Sequence, residues 1–200
     1  GASNRSPFIF MARQMPRCAP IGKAQQEELA MPDTGQMDAI ALLKKDHRTV
    51  EELFAEFEKA GGDGSKQKIA MKICLELAVH AQIEEEIFYP ACEGKVEDDL
   101  LKESYVEHDG AKVLIAEILA GEPADEFYDS KVTVLSEEIE HHVEEEEKRL
   151  EGLFAQAKKA GLDMDALGEQ LAVRREELRR DFQSNGIPPP QLNTMETARV

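Results

Sequence analysis

His80-Ala-Gln-Ile-Glu84-Glu-Glu-Ile-Phe-Tyr-Pro90 is the stretch whose reading decides the fold, and His142-Val-Glu-Glu-Glu146-Glu-Lys-Arg-Leu-Glu-Gly152 repeats its pattern. Each sets a histidine four residues before a glutamate. Four residues is about one helical turn, so both side chains leave one face, roughly 6 Å apart along the axis. An imidazole and a carboxylate stacked in this way grip a metal ion, and a carboxylate can bridge two.

Working outward, apolar residues recur at helical spacing around both stretches. Ile40, Leu43, His47, Val50, Phe54 and Phe57 form one stripe, opened by Asp38 as N-cap and stopped by Gly61-Gly62. Ile73, Leu77, His80, Glu84 and Phe88 form a second, with Ser65 as the expected N-cap and Pro90 as the end. Leu101, Tyr105, His108, Ala111, Ile115 and Leu119 form a third, from about Glu97 to Gly121. Leu135, Ile139, His142, Glu146, Leu150 and Leu153 form a fourth, expected to run to Gly161. Four amphipathic helices with short links predict an all-α, up-down-up-down antiparallel four-helix bundle. A weaker helix carrying Leu167, Leu171, Leu178 and Phe182 follows. The chain is thus expected to divide into a loosely ordered tail (1–37), the bundle (38–160), an additional C-terminal helix (161–184) and a mobile Pro-rich tail (185–200).

In each bundle stripe a histidine stands where Leu or Ile belongs, and in two a glutamate follows on the same face. An unpaired buried carboxylate costs several kcal/mol, roughly, so inward-facing Glu84 and Glu146 call for a cationic partner. At about 1.5 Å per residue, His47, His80 and His108 fall near mid-helix. His142 joins that level only if 121–129 is a connector and the fourth helix begins near Ser130 as N-cap. The metal ligands expected are therefore His47, His80, Glu84, His108, His142 and Glu146. Six donors exceed one site with an exchangeable position and suit two adjacent metals, two histidines each with both glutamates bridging. The donor set suits iron, with manganese, zinc or cobalt as substitutes.

The pattern His47, His80-x3-Glu84, His108, His142-x3-Glu146 resembles the hemerythrin HHE cation-binding family. Lys45-Asp46-His47-Arg48, Glu84-Glu85-Glu86-Ile87-Phe88-Tyr89-Pro90, Glu107-His108 and His141-His142-Val143-Glu144-Glu145-Glu146 carry the resemblance, over about 38 to 160. It implies a four-helix bundle with a non-heme di-iron centre, bridged by oxo, hydroxo or water, that binds or senses dioxygen, nitric oxide or peroxide. The oxygen carriers of the family use five histidines, the extra one a turn away on the third helix. Here Ser104 and Lys112 stand at those positions. One iron is left short of a ligand, to be supplied by solvent or a nearby Glu or Tyr. That speaks for sensing, redox chemistry or iron handling (peroxide or nitric oxide turnover, iron donation for repair) over reversible carriage, and leaves open whether the protein is an enzyme. A third reading is a structural bundle stapled by its metal. A ferritin-like site needs Glu-x-x-His on two helices. Only Glu138-x-x-His141 fits, so that architecture is set aside.

The remaining features have plainer readings. His141 points about 100° from His142 and reads as a solvent-facing or rim residue. Glu85, Glu86, Glu144, Glu145 and Glu147 are expected to be solvated, Tyr105 to be ordinary core, and Arg174, Arg175, Arg179 and Arg180 to form a solvated face. A net charge of −17 argues against general nucleic-acid binding and against anionic membranes. No apolar run approaches the ~20 residues of a membrane span. Three cysteines without a CxxC suit a reducing compartment, and the expected location is cytoplasmic.

Overall fold

The computed structural model describes residues 37–195, and every described element is helical. The tail expected over 1–37 lies outside these residues but for Met37. The elements are α1 (Ala39–Lys59), α2 (Asp63–Ile83), a π-helical turn (Glu84–Phe88), α3 (Tyr89–Cys92), α4 (Asp98–Ala120), α5 (Tyr128–Glu147), α6 (Leu153–Lys159) and α7 (Met164–Asn185).

The direction of each helix follows from the core. The buried apolar side chains form two clusters. Passing along α1, Leu43 belongs to the first cluster and Val50 to the second, with His47 between them. Along α2 the order reverses, from Leu77 in the second to Ile83 in the first, across His80. α4 runs from Leu101 in the first to Ile115 in the second across His108, and the chain returns from Leu135 on α5 to Leu153 on α6 across His142. The four histidines thus form a polar layer that divides an antiparallel bundle, as the sequence predicts. α7 packs outside the bundle on α1 and α2, burying Leu171, Leu178 and Phe182 in the first cluster.

Several expected boundaries move. Asp38 caps α1 through its carboxylate, which accepts from the Ala41 N–H at 2.7 Å. Ser65 and Ser130 are not caps: their helices begin two residues earlier, at Asp63 and Tyr128, without a side-chain cap. The connector is accordingly 121–127, where Asp125 accepts from the Glu122 N–H, and His142 still reaches the histidine layer. Pro90 does not end its helix. Proline cannot donate to the carbonyl four residues back, and here the chain widens into the π turn and continues to Cys92. The fourth helix stops at Glu147 rather than near Gly161, and Leu150, assigned to its buried stripe, is 82% exposed. Gly152 lies so close to the end of α5 that a Cβ there would meet the Glu146 carbonyl at 2.6 Å. α6 then folds across the bundle end with Leu153, Phe154 and Ala157 buried.

Of the four α7 arginines expected as a solvated face, Arg180 is exposed, but the other three are engaged with the bundle. Arg174 binds Glu86 at 2.6 Å, Arg175 binds Asp46 at 2.7 Å, and Arg179 pairs with Glu76. Beyond Gly186 the chain, expected as a mobile Pro-rich tail, runs back along the bundle. The N–H groups of Asn193, Thr194 and Met195 and the Thr194 hydroxyl all donate to Asp109, which is fully buried. Burial raises the Asp109 pKa, but these donors outweigh it and hold the carboxyl down at about 2.

The α7–α1 junction provides a test. A Cβ on Gly168 would lie 2.5 Å from the Met37 carbonyl oxygen and 2.9 Å from the Ala39 nitrogen, whereas one on Gly64 meets nothing within 4 Å. In urea unfolding, Gly168→Ala is expected to cost about 1–3 kcal/mol and Gly64→Ala to gain about 0.5 kcal/mol. Equal effects would mean that α7 does not seat on the start of α1.

Candidate metal centre

All six residues expected as ligands meet in the layer between the two apolar clusters, and all six are buried. His47 Nε2 lies 3.1 Å from His80 Nε2, and His108 Nε2 lies 3.3 Å from His142 Nε2. Glu84 Oε2 is 3.2 Å from His80 Nε2 and 3.4 Å from His108 Nε2, spanning the two pairs. Glu146 Oε2 spans them likewise, 3.4 Å from His47 Nε2 and 3.6 Å from His142 Nε2. Donor atoms of His47, His80, Glu84 and Glu146 cluster tightly enough to hold one ion, and those of Glu84, His108 and His142 to hold another.

The histidines face inward because their outer nitrogens are held. His47 Nδ1 donates to Glu147 at 2.9 Å, His108 Nδ1 to Glu85 at 3.0 Å and His142 Nδ1 to Glu107 at 2.8 Å. His80 Nδ1 faces Asp46 at 3.9 Å, the same arrangement beyond hydrogen-bond length. A carboxylate only accepts, so the proton sits on Nδ1 in the first three, and Nε2 presents a lone pair to the interior. The outer carboxylates form a ring. Asp46 on α1 serves His80 on α2, Glu85 after α2 serves His108 on α4, Glu107 on α4 serves His142 on α5, and Glu147 on α5 serves His47 on α1. Each has a basic neighbour: Arg175 at Asp46, Lys112 at Glu85, His141 at Glu107, and Lys44 with Arg48 at Glu147. Glu85 and Glu147 are thus not the solvated residues expected. The only sequence signal for them is position, since each lies next to one of the inward-facing glutamates, Glu84 and Glu146.

Tyr89 is the other residue missed. Its hydroxyl donates to Glu146 Oε1 at 3.1 Å and lies 3.2 Å from His108 Nε2 and 3.4 Å from Glu84 Oε2. The π turn places it there, because one extra residue per turn brings position i+5 from Glu84 onto the ligand face. Tyr105 packs edge-on against Tyr89, with ring centroids 5.2 Å apart, and is not in the donor cluster. Phe154 of α6 stacks on His47 and closes the end of the layer.

The interior asks for positive charge. Paired lone pairs at 3.1 Å and 3.3 Å repel unless a cation lies between them. Glu84 Oε1 and Glu146 Oε2 are buried with no hydrogen-bond donor. Burial pulls the His47, His80 and His108 pKa values down, yet the carboxylates around them win: all three are raised above 6.5, His108 to about 9. Burial raises that of Glu84, and the charges of His80 and His108 hold it well below 4.5. The donors fit a metal on these grounds: imidazoles turned with Nε2 inward, carboxylates reaching both pairs, and an outer shell that orients them.

Inward histidines at one level on four antiparallel helices, two followed by a glutamate one turn on, define a bundle with a buried cation-binding cluster. The domain model described as hemerythrin HHE cation binding domain matches residues 38–154, and the chain belongs to that family. It is similar to a DNA nickase of Nostoc sp. PCC 7120, 28% identical over 118 residues, which is 59% of this chain and 34% of that protein. The chain therefore spans about a third of that curated relative. Its fold is similar to the crystal structure of a hemerythrin HHE cation binding domain-containing protein from Mycobacterium kansasii. The TM-score is 0.63 at 21% identity, covering 75% of this chain and 94% of that one.

Two outcomes are expected. Glu85→Gln and Glu147→Gln each weaken metal binding about 10–100-fold in competition titrations, while Glu144→Gln changes nothing. In chelator-treated protein, the raised histidines contribute stability that is fully present below the unfolded pKa of 6.5 and lost as pH rises through about 9. Its melting temperature is expected to fall across that window, and metal, which replaces the protons, to abolish the fall. A flat profile without metal would contradict this electrostatic account.

Proposed function

We propose that this chain holds two iron ions through His47, His80, His108, His142, Glu84 and Glu146, and that it binds dioxygen, nitric oxide or peroxide at that centre. One observation carries the choice of a small ligand. Beside the four histidines lies a cavity of about 20 Å³, walled among others by Val50, Ala81, Ile115 and Ile139. About 10–15 Å³ of such space holds one water, so the cavity suits a diatomic-sized molecule and excludes an organic substrate. Its apolar wall favours an uncharged ligand.

Iron, when bound, would supply a reversible change of oxidation state and positions open to such a ligand. The chain's own groups do the rest. The four imidazoles bind through Nε2, with the orientation of His47, His108 and His142 held by outer hydrogen bonds and His80 facing Asp46. Glu84 and Glu146 each reach both histidine pairs. Tyr89 stands beside His108, on the side that the five-histidine pattern would complete. Burial first, and then the Glu146 and Glu84 charges, push its pKa well above 10, so it remains a neutral phenol that holds a proton at Glu146 Oε1. A held proton beside the centre supports sensing or peroxide chemistry over simple carriage. The family's iron-handling role is the alternative, and the closed end beneath Phe154 weighs against ready iron release.

The activity named for the Nostoc relative belongs to a protein of which this chain spans a third. The net charge of −17, and the pairing of Arg174, Arg175 and Arg179 with the bundle, weigh against carrying it over.

Elemental analysis of untagged protein is expected to give two irons per chain, with a visible band that changes on reduction and on nitric oxide. Glu84→Ala and His142→Ala should lose the paired metals. His141→Ala and Tyr89→Phe should retain them, the latter with altered peroxide reactivity. A single zinc, or a spectrum inert to every small ligand, would sink the proposal in favour of a structural staple.

A further inference from the structure

A second cavity, of about 360 Å³, lies outside the metal layer. Its walls include Ile115 and Ala116 of α4, Phe182 of α7, and Ile187 and Pro189 of the extended C-terminal segment. Lys112 and Ile115 line both this cavity and the small one at the histidines, so a single layer of side chains separates them. Glu85, which holds His108, also lines the outer cavity.

The C-terminal segment is fastened at this place by polar contacts. Asp109, next to His108 in sequence, accepts from the N–H groups of Asn193, Thr194 and Met195 and from the Thr194 hydroxyl. Asn193 Nδ2 donates to Glu85 at 2.8 Å, and Lys112 donates to the Gln191 carbonyl at 3.1 Å and to Glu85 at 2.8 Å. The residues between Gly186 and this latch carry Pro188-Pro189-Pro190, which stiffen them as a spacer. Ile187, at the start of the segment, packs against both apolar clusters, whereas residues 188–195 are attached mainly through one carboxylate and the backbone, an attachment that can open while Ile187 stays in place.

We propose that residues 188–195 form a displaceable strap, latched at Asp109, which controls passage of small ligands from the outer cavity past Lys112 and Ile115 to the metal centre. This rests on the metal-centre reading above. When latched, the strap walls the outer cavity and holds the Lys112–Glu85 pair in place. When released, it uncovers the cavity and removes Asn193 from Glu85. The segment lies beyond the residues matched by the family model, so the control belongs to this chain's own extension.

The test uses nitric oxide association with the iron(II)-loaded full chain, followed by stopped flow, and amide hydrogen exchange at 193–195 in the metal-free protein. Thr194→Pro removes one N–H and the hydroxyl from the latch at an exposed position. Ala116→Trp fills the outer cavity. Thr194→Pro is expected to speed association about tenfold and to abolish protection at 193 and 195, and Ala116→Trp to slow association by a similar factor. A chain ending at Ile187 should match or exceed Thr194→Pro. Equal rates in all variants of an iron-loaded protein would overturn the strap while leaving the centre intact. Amides at 193–195 that exchange freely in the unmodified chain would overturn the latch whatever the metal does. Failure of the unmodified chain to take up iron would overturn the centre, and the access route with it.

Discussion

Six buried donors with no positive charge of their own between them are the constraint on which the structure depends. Two carboxylates at the centre of a helical bundle carry a desolvation cost of several kcal/mol, roughly, which hydrophobic packing above and below cannot offset. Only a cation placed among them does so, whether protons on the imidazoles or a metal. The apolar core is split into two clusters for this reason. The helices must bring four histidines to one level, and no apolar side chain can occupy that level without displacing a donor. Glu146 also sits in the last turn of α5, where the helix dipole disfavours negative charge. The break after Glu147 therefore adds to the demand for a cation instead of relieving it.

The donors stay aimed inward because the bundle closes a ring outside them. Each helix supplies, one residue from its own ligand, the carboxylate that faces the next helix's histidine. A residue adjacent to a ligand is turned about 100° around its own helix, which carries it toward the neighbouring helix and the back of that neighbour's imidazole. The arrangement links helix spacing to histidine orientation: a change in the packing of α1 against α2, or of α4 against α5, alters an outer contact before it reaches a ligand. Glu107 differs from the other three in its partner, since His141, 61% exposed, stands there in place of a Lys or Arg. His141, read from sequence as a solvent-facing or rim residue, stands at the rim of the outer shell.

The six inner donors were legible because the chemistry of each violates its own periodicity. A histidine in an apolar stripe, with a glutamate one turn on, is visible without coordinates. Tyr89 was not, because regular helical arithmetic places Phe88 on the face of Glu84, and only the inserted π residue moves the choice one position along. Glu85 and Glu147 read as solvated since a helix considered alone shows only its own faces, and the histidines they meet come from other helices. Leu150 imitated a buried position because its spacing from Glu146 and Leu153 continues the period through a turn that Gly152 reverses. Sequence patterning reports the face of an element well. It reports poorly where the element stops, and not at all what approaches from a neighbour.

The C-terminal arm joins this outer ring at two places, one for each histidine pair. Arg175 of α7 neutralises Asp46 behind His80, and Asn193 of the strap completes the set around Glu85 behind His108. The other two outer carboxylates have basic neighbours within the matched domain. The arm is therefore not an appendage fastened to a finished bundle, because part of what orients the centre comes from outside the family's common region. Its two attachments differ in kind. α7 is held by buried Leu171, Leu178 and Phe182, which leave water only if the first core cluster opens. The strap is held mainly by hydrogen bonds, four of its donors meeting the Asp109 carboxylate, and water can take their place as the segment leaves. Stiffness from the three prolines lowers the entropy lost on latching, and Ile187, packed on both apolar clusters, anchors the end that stays in place. One half of the centre is thus tied to the fold, and the other to a segment free to leave it.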